Sequence, residues 1–277
     1  MKNLKYKLII SDYDGTLSDK NYINEEVIKA IQDYRKAGGK FALCTGRAIP
    51  STSRFLGING FNPDAVSFYQ GSVIHVNGKP VLNSGIEKET VYDIIKSVRD
   101  RWNRIFAVYI DDVLYSDSET ETAQLYLSFY RQNGGTAVFV PDILEVVKNT
   151  KSNLAKFVVL KDPSDPATEV FEFIGQNFGD KVLVNSGASF IIEIVSKKYS
   201  KEEAAKLIAK ELGVSEEEAL TIGDSTNDIS LLKFGYGMAV ESGTEELKKV
   251  AKYIAPPIQE LPVKCIIEKI LKGEDFK

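Results

Sequence analysis

The sequence predicts an α/β protein: a doubly wound, parallel-sheet (Rossmann-like) core with an α+β cap domain inserted into it. Three observations predict this. Short apolar runs alternate with one-faced helical segments near both ends of the chain, which is the rhythm of a parallel sheet. Between them the texture changes to neighbouring strands joined by tight turns, and such strands pair antiparallel. The length of 277 residues suits one large or two modest domains. The expected division is 1–83 plus 190–277 for the core and 84–189 for the cap.

Lys5 to Ser11 reads as the first strand. Asn24 then caps a helix with Val27, Ala30, Ile31 and Tyr34 on one face, stopped at Gly38-Gly39. Phe41–Cys44 is a buried strand, and Arg47–Leu56 a helix that tolerates Pro50 in its first turn. Ala65–Tyr69 is a third strand. Asn77-Gly78, between Val73–Val76 and Pro80–Leu82, signals a hairpin. The cap reads as helix (Glu87–Trp102), strands (Ile105–Ile110, Val113–Tyr115), helix (Glu119–Gln132) and strand (Thr136–Val140). Strand (Leu154–Leu160), helix (Pro166–Phe178) and strand (Lys181–Val184) complete it. After Phe190–Val195 the parallel rhythm is expected to return. Ser200 and Ser215 each open a capping-box pattern, with Glu203 and Glu218 three residues on. Ala219–Ile222, Tyr236–Val240 and Tyr253–Ala255 read as the last strands.

Bulk composition bounds the function. A hydrophobic content of 43% and a net charge of −4 describe a soluble globular chain without the basic footprint of nucleic-acid binding. The apolar runs fall far short of the ~18 residues of a membrane span. The stretch Leu8–Ile10 is too short for a signal sequence. Two cysteines, Cys44 and Cys265, make no disulfide framework and suit a reducing compartment. The expected location is therefore cytoplasmic, with no nucleic-acid or membrane partner.

The chemistry concentrates where strands end. In an open parallel sheet, ligands bind beyond the carboxyl ends of the strands. Asp12 and Asp14 follow the first strand, Thr45-Gly46-Arg47 the second, and Gly223-Asp224-Ser225-Thr226-Asn227-Asp228 the strand at Ala219–Ile222. Lys197, Lys198 and Lys201 cluster at a strand-to-helix junction. Two carboxylates two residues apart at a buried strand end repel unless a cation or a proton intervenes. An oxygen site of two or three carboxylates suits Mg²⁺. A free carboxylate can attack phosphorus, while a hydroxyl, backbone N–H groups and an ammonium hold the equatorial oxygens. A second carboxyl can carry the proton to the leaving oxygen. A polar strand exit that merely contains two Asp is the plainer reading of the first run taken alone.

These runs, in this order, resemble the four motifs of the haloacid dehalogenase superfamily. The similarity is to its Cof-type, sugar-phosphatase-like branch with a large type-II cap after the second motif. The matches are Asp12-Tyr13-Asp14-Gly15-Thr16-Leu17, Thr45-Gly46-Arg47, Ser200-Lys201, and Gly223 to Asp228. The resemblance spans essentially the whole chain. It implies a Mg²⁺-dependent phosphatase of small phosphomonoesters, such as sugar phosphates, that works through an aspartyl-phosphate. Asp12 would be the nucleophile and a metal ligand. Asp14 would be the general acid/base and lend its backbone carbonyl to Mg²⁺. Tyr13, Thr45, Gly46 and Asn227 would hold the phosphoryl group, and Lys201 would neutralise it. Asp224 would ligate the metal and Asp228 support it, and the cap would supply leaving-group contacts. Three departures stand out: Glu202 where the family usually has Gly, Gln70-Gly71-Ser72 in place of Asn-Gly-Ala, and Ser242-Gly243 in place of Asn-Ala. The first keeps Lys197 and Lys198 as rivals of Lys201.

Two other functions remain open on the residues: a phosphomutase using the same aspartyl-phosphate, and a non-enzymatic phospho-acceptor. His75 and Trp102 read as structural. Cys44 lacks the Arg six residues on that a cysteine phosphatase needs, since Pro50 stands there. The loop at Asp12 is no calcium loop, because Leu17 and Ile23 occupy the required Gly and Glu positions.

Overall fold

The computed structural model describes residues 4–186 and 190–276. Their contacts resolve into two units. One comprises the residues up to 46, 55–82 and those from 200 onward, and the other 47–54 with 83–199. In chain order the elements are β1 (Leu8–Ser11), α1 (Glu25–Lys36), β2 (Lys40–Cys44), α2 (Ile49–Ile58), β3 (Ala65–Phe68), β4 (Val73–Val76) and β5 (Lys79–Asn83). Then come α3 (Lys88–Trp102), β6 (Ile105–Ile110), β7 (Val113–Ser116), α4 (Glu121–Gln132), β8 (Thr136–Phe139), α5 (Ile143–Asn149), β9 (Leu154–Leu160), α6 (Thr168–Phe178), β10 (Val182–Ser186) and β11 (Ile191–Ser196). The last are α7 (Lys201–Leu212), β12 (Ala219–Gly223), β13 (Tyr236–Val240), α8 (Glu245–Lys248), β14 (Tyr253–Ala255) and α9 (Pro262–Lys272).

In the first unit a sheet runs in the order β14-β13-β12-β1-β2-β3-β4-β5. β14 through β3 are parallel, and β4 returns antiparallel on β3. Both faces are covered, so β1 and β2 are continuous apolar runs, not alternating ones. Leu8, Ile10, Ala42 and Cys44 pack against Ala204, Ala205, Ile208 and Leu212 of α7. Successive strand residues point oppositely, which turns Ile9, Phe41 and Leu43 to the other face. The predicted first helix forms as α1. The Asn24 carboxamide accepts from Glu26 N at 2.8 Å, acids fill the first turn and Arg35 and Lys36 the last. Val27, Ala30, Ile31 and Tyr34 are its buried face. The hairpin turn is also as predicted, with Asn77 and Gly78 both at positive φ.

The second unit has its own sheet, ordered β10-β11-β9-β6-β7-β8. Phe106, Val108, Phe157, Val159, Ile192 and Ile194 form a core with Val91, Ile95 and Val98 of α3, Val147 of α5, and Val170 and Ile174 of α6. Asp111 and Asp112, both at positive φ, make the predicted turn between antiparallel β6 and β7.

Three expectations change, and three helices that were not expected, α5, α8 and α9, are present. The strand after Phe190 pairs antiparallel with β9 and β10, so it belongs to the second sheet, and the first unit resumes at residue 200, not 190. Residues 187–189, where the boundary was placed, lie outside those described. β8 pairs parallel with β7, so this sheet is mixed. The Ser215 capping box forms in full but closes only a 3₁₀ turn, Glu216–Glu218, because β12 begins at Ala219. α5, α8 and α9 had no counterpart in the reading. α5 is only two turns long, and α9 lies beyond the last motif, although its buried face is clear in Val263, Ile266, Ile267 and Ile270.

Candidate active site

Strand order brings the distant motifs together. β12, β1 and β2 are neighbours, with Ser11 level with Ile222 on one side and Leu43 on the other. The residues that follow each strand therefore emerge at one edge of the sheet. Asp12 extends the ladder by one bond, its N–H donating to Ile222 O at 2.9 Å. α7 contributes Lys201 from its first turn. The helix starts there because Ser200 is its N-cap, the hydroxyl accepting from Glu203 N.

Lys201 is 1% exposed and its Nζ lies 2.6 Å from Asp12 Oδ1 and 2.5 Å from Asp228 Oδ1. The other oxygen of Asp228 accepts from the backbone N–H of Asp224 and of Ser225, both at 3.1 Å. Asp228 thus ties the lysine to the loop that carries Asp224. Thr16 donates its hydroxyl to Asp224 Oδ1 at 3.0 Å. The Asn227 carboxamide oxygen accepts from Ser225 Oγ at 2.5 Å, leaving the amide end to carry the donors an anion takes. Ligand atoms of Asp12, Asp224 and Asp228 all lie within 4.8 Å of one another. Gly15, at φ +74°, passes so close that a Cβ there would sit 2.5 Å from Asp224 Oδ2, so the turn after Asp14 excludes any larger residue.

Burial pushes the Asp12 carboxyl well above the ordinary carboxylate range. Lys201 opposes that shift, and Asp228, Asp14 and Asp224 reinforce it. Asp224 is raised to about 6, by burial first and then by the Asp228 charge. Burial works to lower the Lys201 ammonium, but the Asp12 and Asp228 charges outweigh it and hold the proton on. Three carboxylates here face one ammonium, so negative charge is in surplus. The donors are all hard oxygens, with no His or Cys among them, and this donor set fits Mg²⁺ better than Zn²⁺.

Several expected residues take different positions. Asp14 is exposed and its side chain is not one of the three clustered carboxylates. The Tyr13 ring is fully buried with its hydroxyl toward Asn21 O, which leaves only its main chain for a phosphate. Thr45 is buried, its N–H bonded to Ser67 O and its carbonyl to Gln70 N. Lys197 is exposed and donates to Gly179 O, Lys198 lies over the Tyr199 ring, and Lys201 is the lysine bonded to Asp12 and Asp228. Burial pushes the Cys44 thiol up to about 12, which removes it as a nucleophile. His75 stands edge-on to Phe68 and Trp102 to Phe173, both as packing groups. Thr16 and Ser225 had no assigned role. Both lie inside the quoted motifs, but nothing in their spacing shows that each supports a neighbouring acid.

The haloacid dehalogenase-like hydrolase profile matches residues 9–264. The chain is 27% identical to the phosphatase YwpJ of Bacillus subtilis, over 96% of this chain and 100% of that one. It is 25% identical to YwtE of the same organism, a 5-amino-6-(5-phospho-D-ribitylamino)uracil phosphatase, over 97% and 99% of the two chains. A solved haloacid dehalogenase-like hydrolase from B. subtilis shares the fold, with a TM-score of 0.81 at 22% identity over 95% of this chain and 99% of its own. With a family match over nearly its whole length and relatives of this kind, the chain belongs to the haloacid dehalogenase-like hydrolases, as a phosphatase.

Proposed function

We propose that the protein hydrolyses small phosphomonoesters, sugar phosphates or related metabolites, with Mg²⁺ as cofactor and an aspartyl-phosphate on Asp12 as intermediate. The observation that carries this reading is the buried Asp12–Lys201–Asp228 chain beside Asp224. The ribityl phosphate in the name of the relative YwtE supports a phosphorylated polyol as the substrate type.

Asp12 is presented by the last rung of the β1–β12 ladder, so its carboxylate is aimed by the sheet itself. One oxygen forms the bond to phosphorus as the ester P–O bond breaks, and the Asp14 carboxyl gives its proton to the leaving oxygen. Asp14 then takes a proton from water. The resulting hydroxide attacks phosphorus, and the Asp12–phosphorus bond breaks to release phosphate and restore the carboxylate. Lys201, held charged between two carboxylates, stabilises the phosphoryl oxygens with Thr45, the Gly46 N–H and the Asn227 amide. Asp12, Asp224 and the supporting Asp228 would hold Mg²⁺, which supplies positive charge to the phosphoryl group when bound. The inserted residues 83–199 are assigned the choice of leaving group, and the chain is assigned to the cytoplasm. Among the described residues no helix is long and apolar enough to cross a membrane.

The test is a panel of phosphomonoesters with phosphate release measured in Mg²⁺ and in EDTA. Release in Mg²⁺ that stops with EDTA, and that Asp12→Asn abolishes, is the expected result. Full activity after rigorous chelation, or in Asp12→Asn, overturns it.

A further inference from the structure

The turn joining β3 to β4 is built in a way that a simple reversal does not require. Tyr69 and Gln70 are consecutive non-glycine residues in the left-handed region, at φ 52° and 59°, followed by Gly71 at φ 120°. Left-handed side chains of this kind are strained and persist only where the surroundings impose them. Asn, Asp or Gly would make the same reversal more cheaply on the surface. Here Tyr69 and Gln70 are both buried, at 1% and 6% exposure.

The strained conformation places Gln70 on the Thr45-Gly46 turn. Its N–H donates to Thr45 O at 3.0 Å. Its side chain lies across the open face of Gly46, where a Cβ would fall 2.4 Å from Gln70 Nε2 and 2.9 Å from Cδ. Thr45 is pinned from the other side through its own N–H to Ser67 O at 2.9 Å. One buried residue thus grips the turn twice, by main chain at Thr45 and by side chain at Gly46. The sequence at 45–46 and the unusual backbone at 69–70 are two halves of one arrangement.

We propose that Gln70 is a positioning residue. Its carboxamide, packed against Gly46, holds the Thr45-Gly46 turn in the geometry that receives the phosphoryl group. The inference rests on the phosphatase reading above, in which that turn supplies phosphoryl contacts. The strain at Gln70 is then the cost of alignment and not a need of the fold.

This separates activity from stability, which a purely structural role cannot do. Gln70→Gly removes the carboxamide and also the left-handed penalty, so the thermal midpoint is expected to hold while kcat falls about 10- to 100-fold, the scale of a displaced contact. Gln70→Ala and Gly46→Ala are each expected to lower kcat. Their double variant is expected to be no worse than the poorer single, because both disturb one contact. Affinity for orthovanadate, which occupies the phosphoryl position without turnover, is expected to weaken in parallel. An active parent with an equally active Gln70→Gly variant overturns this inference alone, as do additive losses for Gln70→Ala and Gly46→Ala. A parent that releases no phosphate from any substrate overturns both this inference and the phosphatase reading.

Discussion

Lys201 carries two loads at once. It neutralises the carboxylate proposed as nucleophile, and through Asp228 it anchors the loop that presents Asp224. Lys201→Ala is therefore expected to lower kcat by about 10²–10³, the cost of losing one aimed charge contact. Lys197→Ala and Lys198→Ala are expected to stay near the parent in the same steady-state assay, since Lys197 bonds Gly179 O and Lys198 lies over the Tyr199 ring. The carboxyls also set a pH signature. Asp224 titrates near 6 in the folded chain against an ordinary 3.8, and Asp12 is displaced in the same direction. The folded chain holds these protons more tightly than the unfolded one. The stability that the Asp224 proton contributes is full below 3.8 and is lost as pH rises through about 6. At the proposed metal site Mg²⁺ would compete for the same oxygens, so its stabilisation would grow over that interval. Thermal melts at pH 5 and pH 7.5 are expected to show a larger Mg²⁺-induced rise at the higher pH. An equal rise at both would separate the metal from these carboxyls.

At the scale of the element, the start of α7 is where helix chemistry and site chemistry coincide. Ser200 caps the helix, and the first helical residue is the one whose ammonium enters the site. Without the cap the first turn loses a hydrogen bond to its orphan N–H groups. Ser200→Ala is expected to cost about 1 kcal/mol of stability by denaturant melt. Its loss of activity should be smaller than that of Lys201→Ala, because the buried ion pairs still hold the side chain. Glu202, the residue that departs from the family pattern, points away from this role. It pairs with Lys206 one turn on, on the solvent side of the helix. Lys201 is bonded to Asp12 and Asp228 while Glu202 pairs on the helix surface, which supports Lys201 as the third-motif lysine.

Across the molecule two sheets carry two separate cores, and among the described residues each unit holds a deeply buried ion pair system. The second unit has Lys156 and Glu193, 6% and 8% exposed and 2.6 Å apart, with the ammonium 5.1 Å from the centre of the Tyr109 ring. Lys156→Ala removes the ammonium from a buried carboxylate, and breaking such a pair from one side costs about 3–5 kcal/mol. Hydrogen exchange is expected to show the loss confined to the strands of the second sheet, β6 to β11, with β1, β2 and β12 protected as in the parent. Loss of protection in both sheets together would show one cooperative unit.

Period and punctuation in the sequence determined the alternating core, the one-faced helix capped by Asn24, the Asn77-Gly78 and Asp111-Asp112 turns, and the acids at strand ends. Each of these depends on residues close in the chain, so a local reading suffices. The sequence favoured Lys201 of three candidate lysines, through the match at Ser200-Lys201, and the fold shows it buried between Asp12 and Asp228, 189 and 27 residues away in the chain. The membership of β11 likewise turned on its partners. An apolar strand reads alike whether its neighbours run parallel or antiparallel, and only the register with β9 and β10 places it in the second sheet. The carboxylates show the same division. Sequence marked Asp12, Asp14, Asp224 and Asp228 as the acids of the site, with the Asp14 side chain set apart for acid/base work, and only the fold shows that the carboxylates of Asp12, Asp224 and Asp228 converge while Asp14 is exposed. Charge repulsion and desolvation act through space, and no spacing along the chain records them.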